Sequence, residues 1–155
     1  MQIFIPTRDR VNAQFTWDNL HSLQQYTTLV CPAEEVEAHQ NALRRVVARP
    51  PVRLASVRQW IVEELACQDQ PVIMCDDDLA FFVRKDPSAH NLRPAGKDVV
   101  GVFERLHDLV AVAEQRDNGH YGDPYNHVGL SPRQGNNWAF PETININDRM
   151  NAVHC

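Results

Sequence analysis

Three consecutive aspartates, Asp76, Asp77 and Asp78, directly follow an apolar run that begins at Val72. Carboxylates this close repel one another, and a nearby cation lowers their electrostatic energy. Carboxylate oxygens are hard ligands that suit Mg²⁺ or Mn²⁺. The alternatives are a solvated acidic turn, or carboxylates that cap helices or pair with basic groups. We predict a divalent-cation site with Asp78 and Asp76 as candidate ligands.

Five arginines, at positions 8, 10, 49, 53 and 58, lie in segments that we expect near the same edge of the fold. Most of them are individually typical of surface charge. Arg58 differs because the pattern places it in the first turn of a helix. A diphosphate bound there would gain both the helix N-terminus and a guanidinium group. Arg58 is therefore a candidate phosphate ligand.

A late polar segment concentrates hydrogen-bond donors, one glycine and one aromatic ring. Such loops can recognise sugars or bases by hydrogen bonding and stacking, although a plain ordered loop is the alternative. The chain lacks the G-x-x-x-x-G-K-[ST], G-x-G-x-x-G and G-x-S-x-G motifs, which argues against the commonest nucleotide-binding and hydrolase sites. The residues of this segment are Arg133, Gln134, Gly135, Asn136, Asn137 and Trp138.

Four short apolar runs, at residues 3–5, 26–31, 46–48 and 72–75, alternate with helical patterns. This order predicts an α/β fold with a mostly parallel sheet flanked by helices. Ligands of such sheets bind beyond the carboxyl ends of the strands. Thr7 and Arg8, the segment 49–58 and the three aspartates all fall at that edge. Together they predict one site.

The helix boundaries follow from capping and periodicity. Thr16 is a candidate N-cap of the first helix. The second helix is expected to carry His39 and Leu43 on its inner face, with His39 half-buried. Ser56 and Gln59 fit a capping box for the third helix. After the aspartates we expect a strand at 81–83, a polar loop over 84–97, a helix that Asp98 caps, and a short strand at 128–130.

The totals indicate a soluble globular domain of 155 residues, 43% of them hydrophobic and 23% charged. A net charge of −5 gives no general attraction to nucleic acid or anionic membrane. No apolar stretch is long enough to span a bilayer and no signal peptide is evident, so we expect a cytoplasmic protein. The four cysteines show no C-x-x-C spacing and favour buried free thiols over disulfides or zinc.

Four segments in order resemble phage enzymes of the TET-associated glycosyltransferase family, which have the GT-A fold. They are Ile-Pro-Thr-Arg-Asp-Arg at 5–10, Arg-Gln-Trp-Ile at 58–61, Asp-Asp-Asp-Leu at 76–79 and Gly-Leu-Ser-Pro-Arg-Gln-Gly-Asn-Asn at 129–137. The resemblance covers nearly the whole chain. It implies one GT-A-like domain over 1–155, in which residues 1–83 form the nucleotide-sugar-binding half and residues 84–155 begin the acceptor half.

The resemblance also implies roles for these residues in transfer of a sugar from a nucleoside-diphosphate donor to a hydroxyl. Asp78 would hold Mn²⁺ or Mg²⁺, which neutralises charge on the departing diphosphate. The acceptor would be a hydroxyl such as that of a 5-hydroxymethylpyrimidine in DNA, with residues 133–138 near the sugar and acceptor. The implied donor-binding residues are Pro6, Thr7, Arg8, Arg58, Asp76, Asp77 and Arg133.

One part of the family pattern is absent from the sequence. An inverting enzyme of this kind needs a general base, expected as a Glu-Asp pair in the late segment. The late carboxylates, Asp117, Asp123, Glu142 and Asp148, do not form that pair. Either the chain is truncated and holds the donor half, or the base comes from elsewhere. The alternatives to a transferase are therefore a non-catalytic nucleotide-sugar-binding domain and a GT-A-like nucleotidyltransferase.

Overall fold

The computed structural model describes residues 1–67, 69–84 and 92–115. Two compact units divide the chain, Met1–Ala80 and a second that begins at Phe81. The predicted division at residue 83 into donor and acceptor halves stays a prediction. Among the described residues, no helix is both long and apolar enough to cross a membrane.

The first unit is built on four parallel strands, which confirms the predicted α/β architecture. They are β1 (Gln2–Pro6), β2 (Thr27–Cys31), β3 (Val46–Ala48) and β4 (Val72–Met74). Their order in the sheet is β3-β2-β1-β4. The register pairs Ile5 with Leu29 and Ile3 with Ile73. The two central strands are buried, as expected for the apolar runs of a sheet flanked by helices.

Three short helices connect these strands: α1 (Phe15–Asn19), α2 (Val36–Asn41) and α3 (Leu54–Trp60). A 3₁₀ helix over His21–Tyr26 follows α1, and a π-helical turn over Ile61–Leu65 follows α3. Val57 and Ile61 stand one turn apart and are fully buried against Phe4 and Val30. This packing holds the third helix against the sheet.

The strand order creates a switch point between β1 and β4. From β1 the chain proceeds outward through β2 and β3, and it then returns to place β4 on the other side of β1. Sheets of this kind have a crevice beyond the carboxyl ends of the two diverging strands, and ligands bind in that crevice. Residues 7–14 leave the end of β1, and the three aspartates leave the end of β4.

Three predicted helix features are wrong. Helix α1 begins at Phe15 with Gln14 as N-cap, so Thr16 lies inside the helix. Helix α3 begins at Leu54 because Arg53 is already extended at the N-cap, and Ser56 therefore does not cap it. Helix α2 ends before Leu43, which adopts a left-handed φ of 58° and is 93% exposed.

Two burial predictions also need correction. His39 is fully buried rather than half-buried. Cys31 and Cys75 are free and buried as predicted, but Cys67 is free and exposed, because it follows the π-helical turn on the surface.

The second unit begins with an antiparallel pair, β5 (Phe82–Arg84) and β6 (Leu92–Pro94), whose register joins Val83 to Arg93. The predicted strand is confirmed, but the prediction of a polar loop over 84–97 is wrong because β6 lies within it. Helix α4 (Val99–Gln115) confirms the predicted long helix, and the Phe103 ring meets Phe81 edge-on at 5.3 Å between centroids. Asp98 precedes α4 in a 3₁₀ turn. The predicted strand at 128–130 lies outside the described residues.

Candidate functional site

The three aspartates lie in a turn, residues 76–79, which we call the acidic turn. Thr16, at the start of α1, holds its backbone. The Thr16 hydroxyl donates to the Asp76 carbonyl at 2.5 Å and accepts from the Leu79 N–H at 2.8 Å. The Thr16 N–H donates to the Asp77 carbonyl at 3.2 Å. Because Thr16 is fully buried, these bonds fix the acidic turn against α1.

The three carboxylates have different surroundings. The Asp77 side chain is only 15% exposed, against 33% for Asp76 and 54% for Asp78. The Thr7 hydroxyl donates to Asp77 Oδ2 at 2.7 Å, which joins the end of β1 to the acidic turn. Asp77 is therefore turned into the fold, and Asp78 is the most accessible of the three.

Two arginines reach the acidic turn from different segments. The Arg58 guanidinium donates to Asp76 Oδ1. Arg10 places Nε 3.6 Å from Asp77 Oδ1 and Nη2 3.6 Å from Asp78 Oδ2, which is an ion pair without hydrogen bonds. Arg58 therefore lies beside the aspartates, and its phosphate-binding role stays a prediction. Its expected place in the first turn of the helix is wrong, because Arg58 lies in the last turn of the short α3.

The loop after β1 is divided between the site and the solvent. Pro6 and Thr7 are buried, and the Thr7 N–H donates to the Val30 carbonyl at 3.0 Å. Arg8 instead projects outward, with its side chain 70% exposed and paired to the neighbouring Asp9 at 3.3 Å. Of the predicted donor-binding residues in this loop, only Thr7 therefore contacts the acidic turn.

Gln14 completes this side of the site. Its side chain is 1% exposed, and its amide donates to Thr7 Oγ1 at 2.7 Å and to the Arg10 carbonyl at 3.1 Å. We call this set the acidic-turn cluster; its members are Thr7, Arg10, Gln14, Thr16, Arg58, Asp76, Asp77 and Asp78. Three members, Arg10, Gln14 and Thr16, were not predicted as site residues. The sequence indicated Arg10 only as one of five arginines near that edge and Thr16 only as a helix cap, and it gave no signal for Gln14.

A second polar group, which we call the His39 cluster, holds the same loop from the side of α2. It consists of Glu35, His39 and Arg44. Glu35 Oε1 accepts from the Asp9 N–H at 3.0 Å, and Arg44 Nη1 donates to the Val11 carbonyl at 2.5 Å. Residues 8–13 are thus held between two polar clusters.

Burial favours the neutral forms of two side chains here, His39 and the nearby Cys31. Burial first, and then the positive Arg44, lower the pKa of His39, and the facing Glu35 opposes this shift. Burial and the nearby Glu35 raise the pKa of the Cys31 thiol to about 11. Since a thiolate is the reactive form, Cys31 is not a nucleophile at neutral pH.

The oxygen ligands of the acidic turn suit a hard divalent cation, but they do not form a complete cage. Across the described ranges, no three His, Cys, Asp or Glu side chains are grouped to hold a metal ion together. The half-exposed Asp78 has its ion-pair partner, Arg10, at 3.6 Å, beyond hydrogen-bond distance. Mg²⁺ commonly binds through one or two carboxylates plus water and phosphate oxygens. The exposed Asp78 is chemically suited to be one of those carboxylates.

The remaining predicted site residues, Arg133 and the segment Gln134, Gly135, Asn136, Asn137 and Trp138, lie outside the described residues. Their roles stay predictions.

Comparison with known families gives one finding. The family model described as TET-Associated Glycosyltransferase matches residues 1–122, which include every member of the acidic-turn cluster. Comparison with curated proteins and with solved structures gives no match.

Proposed function

Because the chain belongs to the TET-associated glycosyltransferase family, we propose that its acidic turn binds a nucleoside-diphosphate sugar together with Mn²⁺ or Mg²⁺. A glycosyltransferase family implies a sugar donor and an acceptor. The observation that supports this placement is the Thr7–Asp77 hydrogen bond of 2.7 Å. It joins the carboxyl ends of the two strands that diverge at the switch point, where sheets of this class bind nucleotides.

The charge balance of the site supports a requirement for the cation. Asp76, Asp77 and Asp78 face two guanidinium groups, so the bare acidic-turn cluster keeps a net negative charge. A diphosphate would be repelled by that charge. A divalent cation at Asp78 reverses the sign and attracts the diphosphate. Metal and donor should therefore bind with positive cooperativity.

The residues of the chain then have separate roles in the transfer. Asp78 holds the cation, which neutralises the charge developing on the leaving nucleoside diphosphate. Arg10 and Arg58 provide positive charge beside the same phosphates. Asp76, the first residue of the acidic turn and the partner of Arg58, would face a sugar or ribose hydroxyl. Pro6, Thr7 and Arg8 form the loop expected near the base and ribose.

The acceptor is a hydroxyl group, and we propose the hydroxymethyl group of an oxidised pyrimidine in DNA. This part rests on the family resemblance alone. The segment Arg133 to Trp138 is the proposed contact with donor sugar and acceptor. The general base is not assigned.

The test uses the purified chain and a panel of nucleoside-diphosphate sugars covering the different bases, each with Mn²⁺. Calorimetry measures binding, and product analysis measures sugar transfer to DNA containing 5-hydroxymethylcytosine and donor hydrolysis. We expect metal-dependent binding and turnover in at least one assay. Binding without either reaction would reject the enzyme in favour of a donor-binding domain. Absence of binding across the panel would reject both.

The free nucleoside 5-hydroxymethyl-deoxycytidine serves as a separate acceptor control. Transfer to DNA but not to the nucleoside supports recognition of the polymer. Equal transfer to both would assign the acceptor as the hydroxymethyl base itself.

A further inference from the structure

Gln14 has a buried side-chain amide that does not cap its own helix. It stands at the N-cap of α1, yet its side chain makes no capping hydrogen bond. Its side chain is 1% exposed, and its two hydrogen bonds run instead to Thr7 and to the carbonyl of Arg10. Both partners belong to the loop that leaves β1.

The contacts of the amide determine which way it points. A backbone carbonyl can only accept, so the Gln14 atom 3.1 Å from the Arg10 carbonyl must be the Nε2 donor. The same Nε2 lies 2.7 Å from Thr7 Oγ1, which must therefore accept. The Thr7 hydroxyl proton is then left to donate to Asp77 Oδ2 at 2.7 Å. The Gln14 donor at one end and the Asp77 carboxylate at the other, which can only accept when ionised, fix the same direction along this chain of hydrogen bonds.

The oxygen of the Gln14 amide shows that packing alone does not explain why a glutamine occupies this position. Within the described part of the chain, Gln14 Oε1 is buried and has no hydrogen-bond partner. A buried acceptor without a hydrogen-bond partner destabilises the folded state. A methionine would fill similar space without that cost, so it is the donor function of the amide that accounts for glutamine here.

We propose that Gln14 is a positioning residue of the donor site that acts through Thr7 on Asp77. By holding Thr7 Oγ1 in place with its hydrogen bond, Gln14 keeps Asp77 Oδ2 bonded to the protein and this middle carboxylate turned inward. Asp76 and Asp78 are thereby left as the outward-facing groups of the acidic turn. Asp77 is an anchor of the turn and makes no donor contact. The consequence for donor binding rests on the proposed function, but the orientation of Asp77 does not.

The first test reads the orientation without any ligand. In protein labelled with ¹³C at aspartate carboxyl groups, Gln14→Met should move the Asp77 resonance and leave that of the exposed Asp69 unchanged. Gln24→Met is the matched control, because Gln24 donates its amide to the Trp17 carbonyl, away from the acidic turn. An unmoved Asp77 resonance in folded Gln14→Met would overturn the inference, whether or not a nucleotide binds.

The second test measures binding of UDP, GDP, ADP and CDP in the presence of Mn²⁺ by calorimetry. For whichever nucleotide binds, Gln14→Met should weaken affinity about tenfold, the size expected for loss of a supporting hydrogen bond. Its unfolding free energy should not fall, because the unsatisfied carbonyl is removed. In a Thr7→Val background, Gln14→Met should have no further effect on affinity, since the partner it holds is gone. Additive losses would overturn the pathway through Thr7.

Gln14→Glu adds a third measurement, the pH dependence of nucleotide affinity. A purely structural role of Gln14 would not change this dependence. The introduced buried carboxyl has a raised pKa and donates to Thr7 only while protonated. Its affinity relative to wild type should be about tenfold lower near pH 8 and recover towards pH 5. A ratio independent of pH in the folded variant would contradict the proposal. If Asp77 moves in the spectrum but wild type binds no nucleotide, the proposed function fails and the positioning of Asp77 stands.

Discussion

Two polar clusters hold the loop of residues 8–13, and they differ in what they leave accessible to solvent. In the acidic-turn cluster most of the buried polar groups are paired by short hydrogen bonds, such as Thr7 to Asp77 at 2.7 Å, although Gln14 Oε1 has no partner among the described residues. The charges outside remain reachable, with Asp78 54% exposed. The acidic-turn cluster is therefore held by hydrogen bonds on its inner side and has solvent-accessible charges on its outer side.

The His39 cluster has the opposite arrangement. The His39 side chain is fully buried and that of Glu35 is 12% exposed. His39 Nε2 and Glu35 Oε2 lie 3.7 Å apart, and neither has a hydrogen-bond partner among the described residues. A substrate cannot reach such a cluster. The comparison teaches that a dense group of titratable side chains marks a binding site only when part of its charge faces solvent.

The largest effect should follow from Asp78→Asn, which keeps the shape of the exposed carboxylate and removes its charge. We expect Mn²⁺ affinity to fall by about a hundredfold or more, because a direct ligand matters at least as much as its supporting groups. The unfolding free energy should change by less than about 0.5 kcal/mol. Calorimetry and urea unfolding measure the two quantities.

Asp69→Asn is the matched control for this change, since Asp69 is exposed in the turn that precedes β4, at the opposite end of that strand. It should leave Mn²⁺ affinity unchanged. Equal Mn²⁺ affinity in Asp78→Asn and wild type would remove the distinction between the two clusters.

Thr16→Val tests the rigid inner part of the acidic-turn cluster. The change keeps the volume but leaves the Asp76 carbonyl and the Leu79 N–H without their side-chain partner. We expect a loss of about 2 kcal/mol in unfolding free energy, together with weaker Mn²⁺ binding. Thr16→Ser, which keeps the hydroxyl, should retain most of the wild-type unfolding free energy and Mn²⁺ affinity. If Thr16→Val were as stable as wild type, the turn would not depend on this clamp.

His39→Leu should affect stability without affecting binding. The change removes the ring nitrogen Nδ1, which lies 3.4 Å from Arg44 Nη1, and this should destabilise the fold. It also removes Nε2, a buried nitrogen without a hydrogen-bond partner among the described residues, which offsets part of that loss. The unfolding free energy should therefore fall by about 1 kcal/mol. Mn²⁺ affinity should equal that of wild type. Gln40→Leu, on the exposed face of α2, controls for the added apolar surface. Weakened Mn²⁺ binding in His39→Leu alone would show that the two clusters are coupled through the loop.

The smallest effect concerns pH. Burial and Arg44 lower the pKa of His39, with Glu35 opposing them, so below about pH 6.5 the unfolded chain takes up a proton that the folded chain does not. Stability should therefore fall as pH decreases through that value. His39→Gln should flatten this part of the profile in urea unfolding at successive pH values. Parallel profiles would exclude His39 as the cause.

The strands were predictable because each is a short apolar run, and the alternation with helices predicted the parallel sheet. The acidic turn and Arg58 could be placed at one edge for the same reason. Local capping rules failed at Thr16, because its hydroxyl bonds to residues 76 and 79 rather than to its own helix. Gln14 was missed since nothing in its neighbours shows that its amide will meet Thr7. Side-chain partners of this kind depend on tertiary contacts that no local pattern encodes.

The Thr7–Asp77 hydrogen bond joins residues 70 positions apart, and it spans the β1–β4 pairing that completes the first unit. Closing a loop of that length costs more conformational entropy than pairing β1 with β2. A folding intermediate that holds only β1, β2 and β3 therefore contains the arginine-bearing loop but no acidic turn beside it. At the proposed site, nucleotide binding would therefore report that the sheet is complete. Bound ligand should slow amide hydrogen exchange most strongly at the β1–β4 pairing, because that pairing must separate before the site is lost.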